Sequence, residues 1–210
     1  MHYAKRMYRS LPKTISSKVD VVRSYHQCVR NRNYPVFIHI PKNAGTSVSQ
    51  CIYGKAIQHL TYDQIVNTFG RNFIERREVF AFIRDPLDRF VSAINYLATN
   101  GSVDAPATKT PVNDLIYKRG INWFIRYWSE NEFKIYDQVL NPQCMYVQEN
   151  CMLYAMSEIN TVLEKYGVEQ VLYVNKSKNI FQKRDINTKN IDLIISYYQN
   201  DYRLLQRLSK

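Results

Sequence analysis

Two short stretches of this chain gather side chains suited to holding phosphate or sulfate esters. The first is Pro41-Lys42-Asn43-Ala44-Gly45-Thr46-Ser47. Its lysine supplies a full positive charge, Thr46 and Ser47 supply hydroxyls, and Gly45 lets backbone come close to a ligand. The second is Arg84-Asp85-Pro86-Leu87-Asp88-Arg89-Phe90-Val91-Ser92. There a guanidinium fork, with the hydroxyl of Ser92 two helical turns past Asp85, suits a second and separate phosphate. The first stretch is not a Walker A loop, because Lys42 precedes Gly45, whereas GxxxxGK[ST] places its lysine after the glycine. Each stretch also has a plain structural reading. The first would be an ordinary capped turn, and in the second Arg84 would simply pair with Asp85 or Asp88.

The elements around these stretches must position them. Val36–Ile40 and Val79–Ile83 are short apolar runs of the kind that form buried strands, and each leads directly into one stretch. Helices are expected after both, to about Ile57 and about Leu97, so the Lys42 loop faces the positive dipole end of a helix. Asp85 suits an N-cap and Pro86 the first helical position. Thr61 and Gln64 have capping-box spacing at the start of another helix. Residues 98–113 collect Ala, Thr, Gly, Ser, Asp and Pro and predict a mobile loop. The aromatic-rich stretch 114–135 predicts helix, Val171–Val174 a further strand, and Ile191, Ile194, Ile195, Tyr198, Tyr202 and Leu205 a closing helical stripe from about Asn190. Strands alternating with helices imply an α/β fold with a central parallel sheet flanked by helices, which binds ligands beyond the carboxyl ends of its strands.

The chain's 210 residues, 45% of them hydrophobic, suit one domain with a sizeable core. No apolar run approaches the roughly 20 residues needed to span a bilayer, so no integral membrane segment is expected. The net charge of +11 is uneven: residues 1–60 hold ten Lys/Arg and a single acid, Asp20. We therefore divide the chain into a basic N-terminal helical arm, 1–34, and a domain, 35–210. An uneven basic charge of this kind points to an anionic partner, with nucleic acid, acidic lipid, acidic glycan and a phosphate-rich cofactor all open, or to a solvated surface. The four cysteines show no metal-type spacing and read as free thiols.

Taken together, His39-Ile40-Pro41-Lys42-Asn43-Ala44-Gly45-Thr46-Ser47 resembles the 5′-phosphosulfate loop of the Golgi-type carbohydrate sulfotransferases, the heparan 2-O/6-O type. Phe82-Ile83-Arg84-Asp85-Pro86 with Arg89 and Ser92 resembles their 3′-phosphate motif. Lys55 to Ile65, with His59 before a capped helix, and Val174-Asn175-Lys176-Ser177-Lys178 with Tyr198 and Asn200-Asp201-Tyr202 are similar to the same family. The resemblance spans roughly residues 35–97 and 171–205, in order. It implies a three-layer, P-loop-NTPase-like fold and a sulfotransferase using 3′-phosphoadenosine 5′-phosphosulfate, with 3′,5′-adenosine bisphosphate as product and no metal. On that reading Lys42, Asn43, Ala44, Gly45, Thr46 and Ser47 hold the 5′ end, and Lys42 offsets charge on the departing oxygen. Arg84 and Ser92 hold the 3′-phosphate, Ser177 and Lys178 close over the nucleotide, and His59 is the general base.

The acceptor implied is a hydroxyl, most naturally on a glycan and acidic if the basic arm tracks it, and not a nucleic acid. The aromatic 117–136 region is either a face for sugar rings or core. The alternatives are a nucleotide-dependent phosphotransferase and a non-catalytic polyanion-binding module. With no membrane anchor of the eukaryotic kind in the sequence, a cytoplasmic bacterial or viral enzyme is expected, or else a soluble fragment of a Golgi-type enzyme.

Overall fold

A strand with a neighbour on each side and helices around it has no polar face to show. Val79–Ile83 (VFAFI) is buried at all five residues. In the computed structural model, which describes residues 19, 21–99, 111–169, 171 and 178–208, this strand is the middle of three. The sheet runs β1 (Val36–Phe37), β2 (Val79–Ile83), β3 (Met152–Ala155), in that spatial order and all parallel. Phe37 stands opposite Phe80, and Phe80 opposite Met152.

The sequence predicts β1 to Ile40, but the strand stops at Phe37. Ile38 N–H still donates to Phe80 O (2.8 Å), after which Ile40 N–H turns back to Ile38 O (3.2 Å) and bends the chain into the Lys42 loop. β3 was not anticipated, because four half-exposed residues carry almost no periodicity. Of the strand expected at 171–174, only Val171 is among the described residues.

Among the described residues no strand pairs with β1 on its outer side, yet the backbone of Phe37 is satisfied there. Tyr53 Oη accepts from Phe37 N–H (2.8 Å) and donates to Pro35 O (2.8 Å), while Tyr25 Oη donates to Phe37 O (2.9 Å). Cys28 Sγ adds a contact to Pro35 O (3.2 Å). Burial pushes both phenols up, so both stay protonated donors. Tyr25 and Cys28 lie within the segment expected as an arm, and both are fully buried. Residues 21–24 are helical and α1 (His26–Arg30) follows. Arg77 Nη2 ties α1 to the domain through Cys28 O (2.7 Å), and Lys55 Nζ bonds Arg23 O. The described part of the arm is thus built into the core.

After β1 come α2 (Gly45–Tyr53), α3 (Tyr62–Phe69) and α4 (Arg71–Glu75). α3 opens with the expected capping box: Gln64 N–H donates to Thr61 Oγ1 (3.2 Å) and Thr61 N–H to Gln64 Oε1 (2.9 Å). After β2 come α5 (Pro86–Ala98), capped by Asp85 Oδ1 on Asp88 N–H (2.9 Å), then α6 (Pro111–Arg119) and α7 (Ile121–Glu130). The loop expected at 98–113 is therefore helical at its described ends. α8 (Ile159–Glu164) follows β3. The single closing stripe is two helices, α9 (Thr188–Tyr197) and α10 (Gln199–Leu208), broken at Tyr198.

These elements make two apolar cores. One surrounds the sheet with Phe37, Val48, Ile65, Phe80, Phe82 and Leu163. The other, strand-free, joins α5, α6, α7 and α9 through Phe90, Ile94, Ile116, Phe124, Trp128 and Ile194. No helix among the described residues is long and apolar enough to cross a membrane.

Removing the Tyr25 hydroxyl strands the Phe37 carbonyl in a dry site. Tyr25→Phe is expected to lower unfolding free energy by about 1–3 kcal/mol, read by urea denaturation. No change would mean that α1 is not part of the folding unit.

Candidate functional site

The loop leaving β1 takes a backbone path that favours glycine. Lys42 and Ala44 both have left-handed φ, 68° and 56°, and Ala44 stands at the N-cap of α2. Asn43 N–H turns back to Ile40 O (3.4 Å), and the path then enters the N-terminus of α2, whose first backbone N–H groups have no intrahelical acceptor and suit an anion. Gly45 is required for a different reason. A Cβ there would lie 1.8 Å from Cδ2 of His39, whose ring rests on the glycine. The histidine, 4% exposed, donates from Nδ1 to Ile57 O (3.1 Å) and is structural.

Asn43 carries no exposed donor. It is 1% exposed, and its Nδ2 donates to Phe82 O (2.7 Å) and to Gln143 Oε1 (2.7 Å). It braces the loop against the end of β2 instead of reaching outward. Gln143 then binds the next residue of that chain on both backbone groups: its Oε1 accepts from Arg84 N–H (3.0 Å) and its Nε2 donates to Arg84 O (2.9 Å). The carboxylate of Asp201, fully buried on α10, accepts from Gln143 N–H (2.8 Å) and Cys144 N–H (2.9 Å). Arg89, also fully buried, donates to Pro41 O (3.3 Å), Val139 O (3.1 Å) and Asn141 O, with its guanidinium over the Tyr198 ring.

Arg84 does not make the ion pair that its sequence neighbours offer. Its Nη1 donates to Lys42 O (3.2 Å), and Lys183 takes Asp85 (3.3 Å) and Asp88 (2.9 Å). Lys183 reaches them because buried Asn95 pins its segment to α5, accepting from Ile180 N–H (2.9 Å) and Phe181 N–H (2.8 Å). Lys178 is exposed, and Ser177 lies outside the described residues. Ser92 is half-buried on α5, Thr46 half-buried and Ser47 buried on α2.

Two cations therefore share the crevice beyond β1 and β2. Burial, and then the neighbouring Arg84, push the Lys42 ammonium down to about 8, against the pull of Asp137. Its Nζ sits 4.6 Å from the Tyr96 ring centroid. That depression favours any anion that reaches the ammonium. Arg84 is lowered too, by burial first.

His59 completes the group. Its Nδ1 lies 3.1 Å from His39 O and its ring 4.0 Å from the His39 ring. A carbonyl only accepts, so Nδ1 carries the hydrogen and Nε2 keeps its lone pair. Burial lowers the His59 pKa below the ordinary histidine value, and Lys42 adds to that, against the His39 carbonyl and Asp137. At neutral pH the ring is a neutral base.

The structure thus brings together Lys42, Arg84, His59 and the turn into α2. Gln143, Asp137 and Tyr96 belong to the site and carry no sequence motif, and Asp201, part of the Asn200-Asp201-Tyr202 resemblance, anchors it from α10. The aromatic 117–136 region divides: Phe124 and Trp128 are core, while Trp123 and Tyr127 stack half-buried at 5.1 Å. No known protein family, curated protein or solved structure matches the chain.

The Lys42 titration gives a signed expectation. Phosphate monoesters are dianions above their second pKa of about 6, so between pH 7 and 10 only the protein's charge changes. Affinity for 3′,5′-adenosine bisphosphate should be level below pH 8 and fall as pH rises through 8, by up to tenfold per unit, in calorimetric titrations. A flat profile would show that Lys42 does not meet the anion.

Proposed function

We propose that this protein is a sulfotransferase that uses 3′-phosphoadenosine 5′-phosphosulfate and acts on an acceptor hydroxyl, with a carbohydrate as the acceptor class and a P-loop-like sheet as its frame. The observation that carries the reading is the meeting of Lys42 and Arg84, two cations from separate strand ends, at the start of α2. Asp137 acts on Lys42, and Asp88 and Asp85 act on Arg84, yet burial still holds both cations below their ordinary values, so a further anion between them is favoured. A nucleotide phosphorylated at both ends has the matching pair of charges.

When bound, the donor supplies an activated sulfuryl group and a good leaving group. The protein's part is alignment and charge. The α2 turn and Lys42 hold the 5′ end, and the Lys42 ammonium, still protonated at neutral pH, offsets negative charge on the departing bridging oxygen. Arg84 and Ser92 hold the 3′-phosphate. Nε2 of His59 takes the acceptor's proton as its oxygen forms the new bond to sulfur and the bond from sulfur to the bridging oxygen breaks. His39 fixes the tautomer that makes this step available.

Thermal stabilisation separates this reading from a phosphotransferase. 3′,5′-Adenosine bisphosphate should raise Tm more than ATP with magnesium at equal concentration, and a preference for ATP would sink the proposal. In turnover assays with labelled donor and a panel of polysaccharides, Lys42→Ala should weaken bisphosphate binding and, even at saturating donor, lose turnover. His59→Gln should lower kcat by about 10²–10⁴ with little change in donor KM. The wild-type rate should persist into mildly acidic pH, failing only below the ordinary histidine range. Full activity in either variant would remove that residue from the mechanism.

A further inference from the structure

The two cradles lie on chain segments some forty residues apart, and no strand pairing extends far enough to register them. β2 ends at Ile83, and the next residue, Arg84, would have both backbone groups open. The amide of Gln143 fills the place of a neighbouring strand, exchanging one bond with Arg84 N–H and one with Arg84 O. The same oxygen that accepts from Arg84 also accepts from Asn43 of the Lys42 loop. One side chain, 0% exposed, therefore touches both segments, and Asp201 anchors it from α10.

We propose that Gln143 is a positioning residue that registers the Lys42 loop to the Arg84 backbone, so that the two cradles accept a doubly anionic ligand as one unit. This rests on the nucleotide reading above only for the ligand's identity. The registering itself is a property of the free protein. Gln143 reaches no ligand and acts through Asn43 and the Arg84 peptide. Its backbone N–H is fixed by the buried carboxylate, so the amide has one place to stand.

The test reads Lys42 in the absence of ligand. The charged and titratable groups around it include Arg84, Asp137, His59 and the Tyr96 phenol, whose ring lies 4.6 Å from Nζ. The apparent Lys42 pKa is measured from the pH dependence of its reaction with an acylating reagent, followed by peptide mass in the folded full chain. Gln143→Met keeps the volume and removes all three side-chain bonds. If the clamp holds the loop, Lys42 gains water and distance from Arg84, and its pKa should rise from about 8 by a unit or more toward the ordinary lysine value. Affinity for 3′,5′-adenosine bisphosphate should drop tenfold or more. A merely structural glutamine would lower Tm and leave the Lys42 pKa where it is, and that result would overturn the proposal. Should Gln143→Met not fold, Asp201→Asn decides. It loosens the anchor without touching either loop, a rise in the Lys42 pKa supporting the clamp and an unchanged value overturning it. If the pKa moves but the bisphosphate does not bind the wild type, the clamp stands and the nucleotide reading fails.

Discussion

A carboxylate with no access to water sits under the site and determines what can be built above it. Asp201 meets two backbone N–H groups, one to each oxygen, and charge-assisted bonds of this kind are worth about 1.5–3 kcal/mol each. Those bonds fix the 3₁₀ turn Gln143–Met145 and with it the direction of the Gln143 side chain. From there the order passes outward to Arg84, to Asn43, and to a loop whose left-handed residues could not hold their path alone. Arg89 supports the same loop from beneath through Pro41 O. The cations that face a ligand are thus the outermost members of a buried polar lattice.

That layering explains how a site can be both charged and defined. Lys42 and Arg84 disfavour each other, and a loosely held loop would let them part. Here the repulsion is confined because backbone bonds behind the side chains set their separation. His59 is held on the same principle, its imidazole braced by the backbone carbonyl of the very residue whose ring covers Gly45. A single histidine, His39, therefore conditions both the glycine turn and the orientation of the His59 ring.

What the sequence disclosed and what it withheld divide along contact distance. The strand Val79–Ile83, the Thr61–Gln64 box and the Asp85–Pro86 helix start were readable because each depends on residues within a few positions. Lys42, Arg84 and His59 were singled out by type, spacing and resemblance. Gln143 was not, since its partners lie 59 and 100 residues away and glutamine has no preferred role. Asp201 stood only within the Asn200-Asp201-Tyr202 resemblance, which gave it no role, because an acid in an amphipathic helix reads as solvent-facing. Asn43 was expected among the residues holding the 5′ end, and its amide nitrogen bonds the frame, to Phe82 O and Gln143 Oε1. The break at Tyr198 was hidden because the apolar stripe continues through it, and its cause is a tertiary bond, Tyr198 Oη to Leu140 O (2.8 Å).

The two phenols beside β1 bear on how this molecule behaves in company. An unpaired strand margin is the usual place where extended peptides dock and where sister chains begin to aggregate. On this side both backbone groups of Phe37 are already occupied by hydroxyls from the same chain, under a covering of helix. Sheet-to-sheet association through β1 would first have to expel two buried tyrosines. Among the described residues that flank offers a second chain no free backbone group of Phe37, so the margin is closed from within.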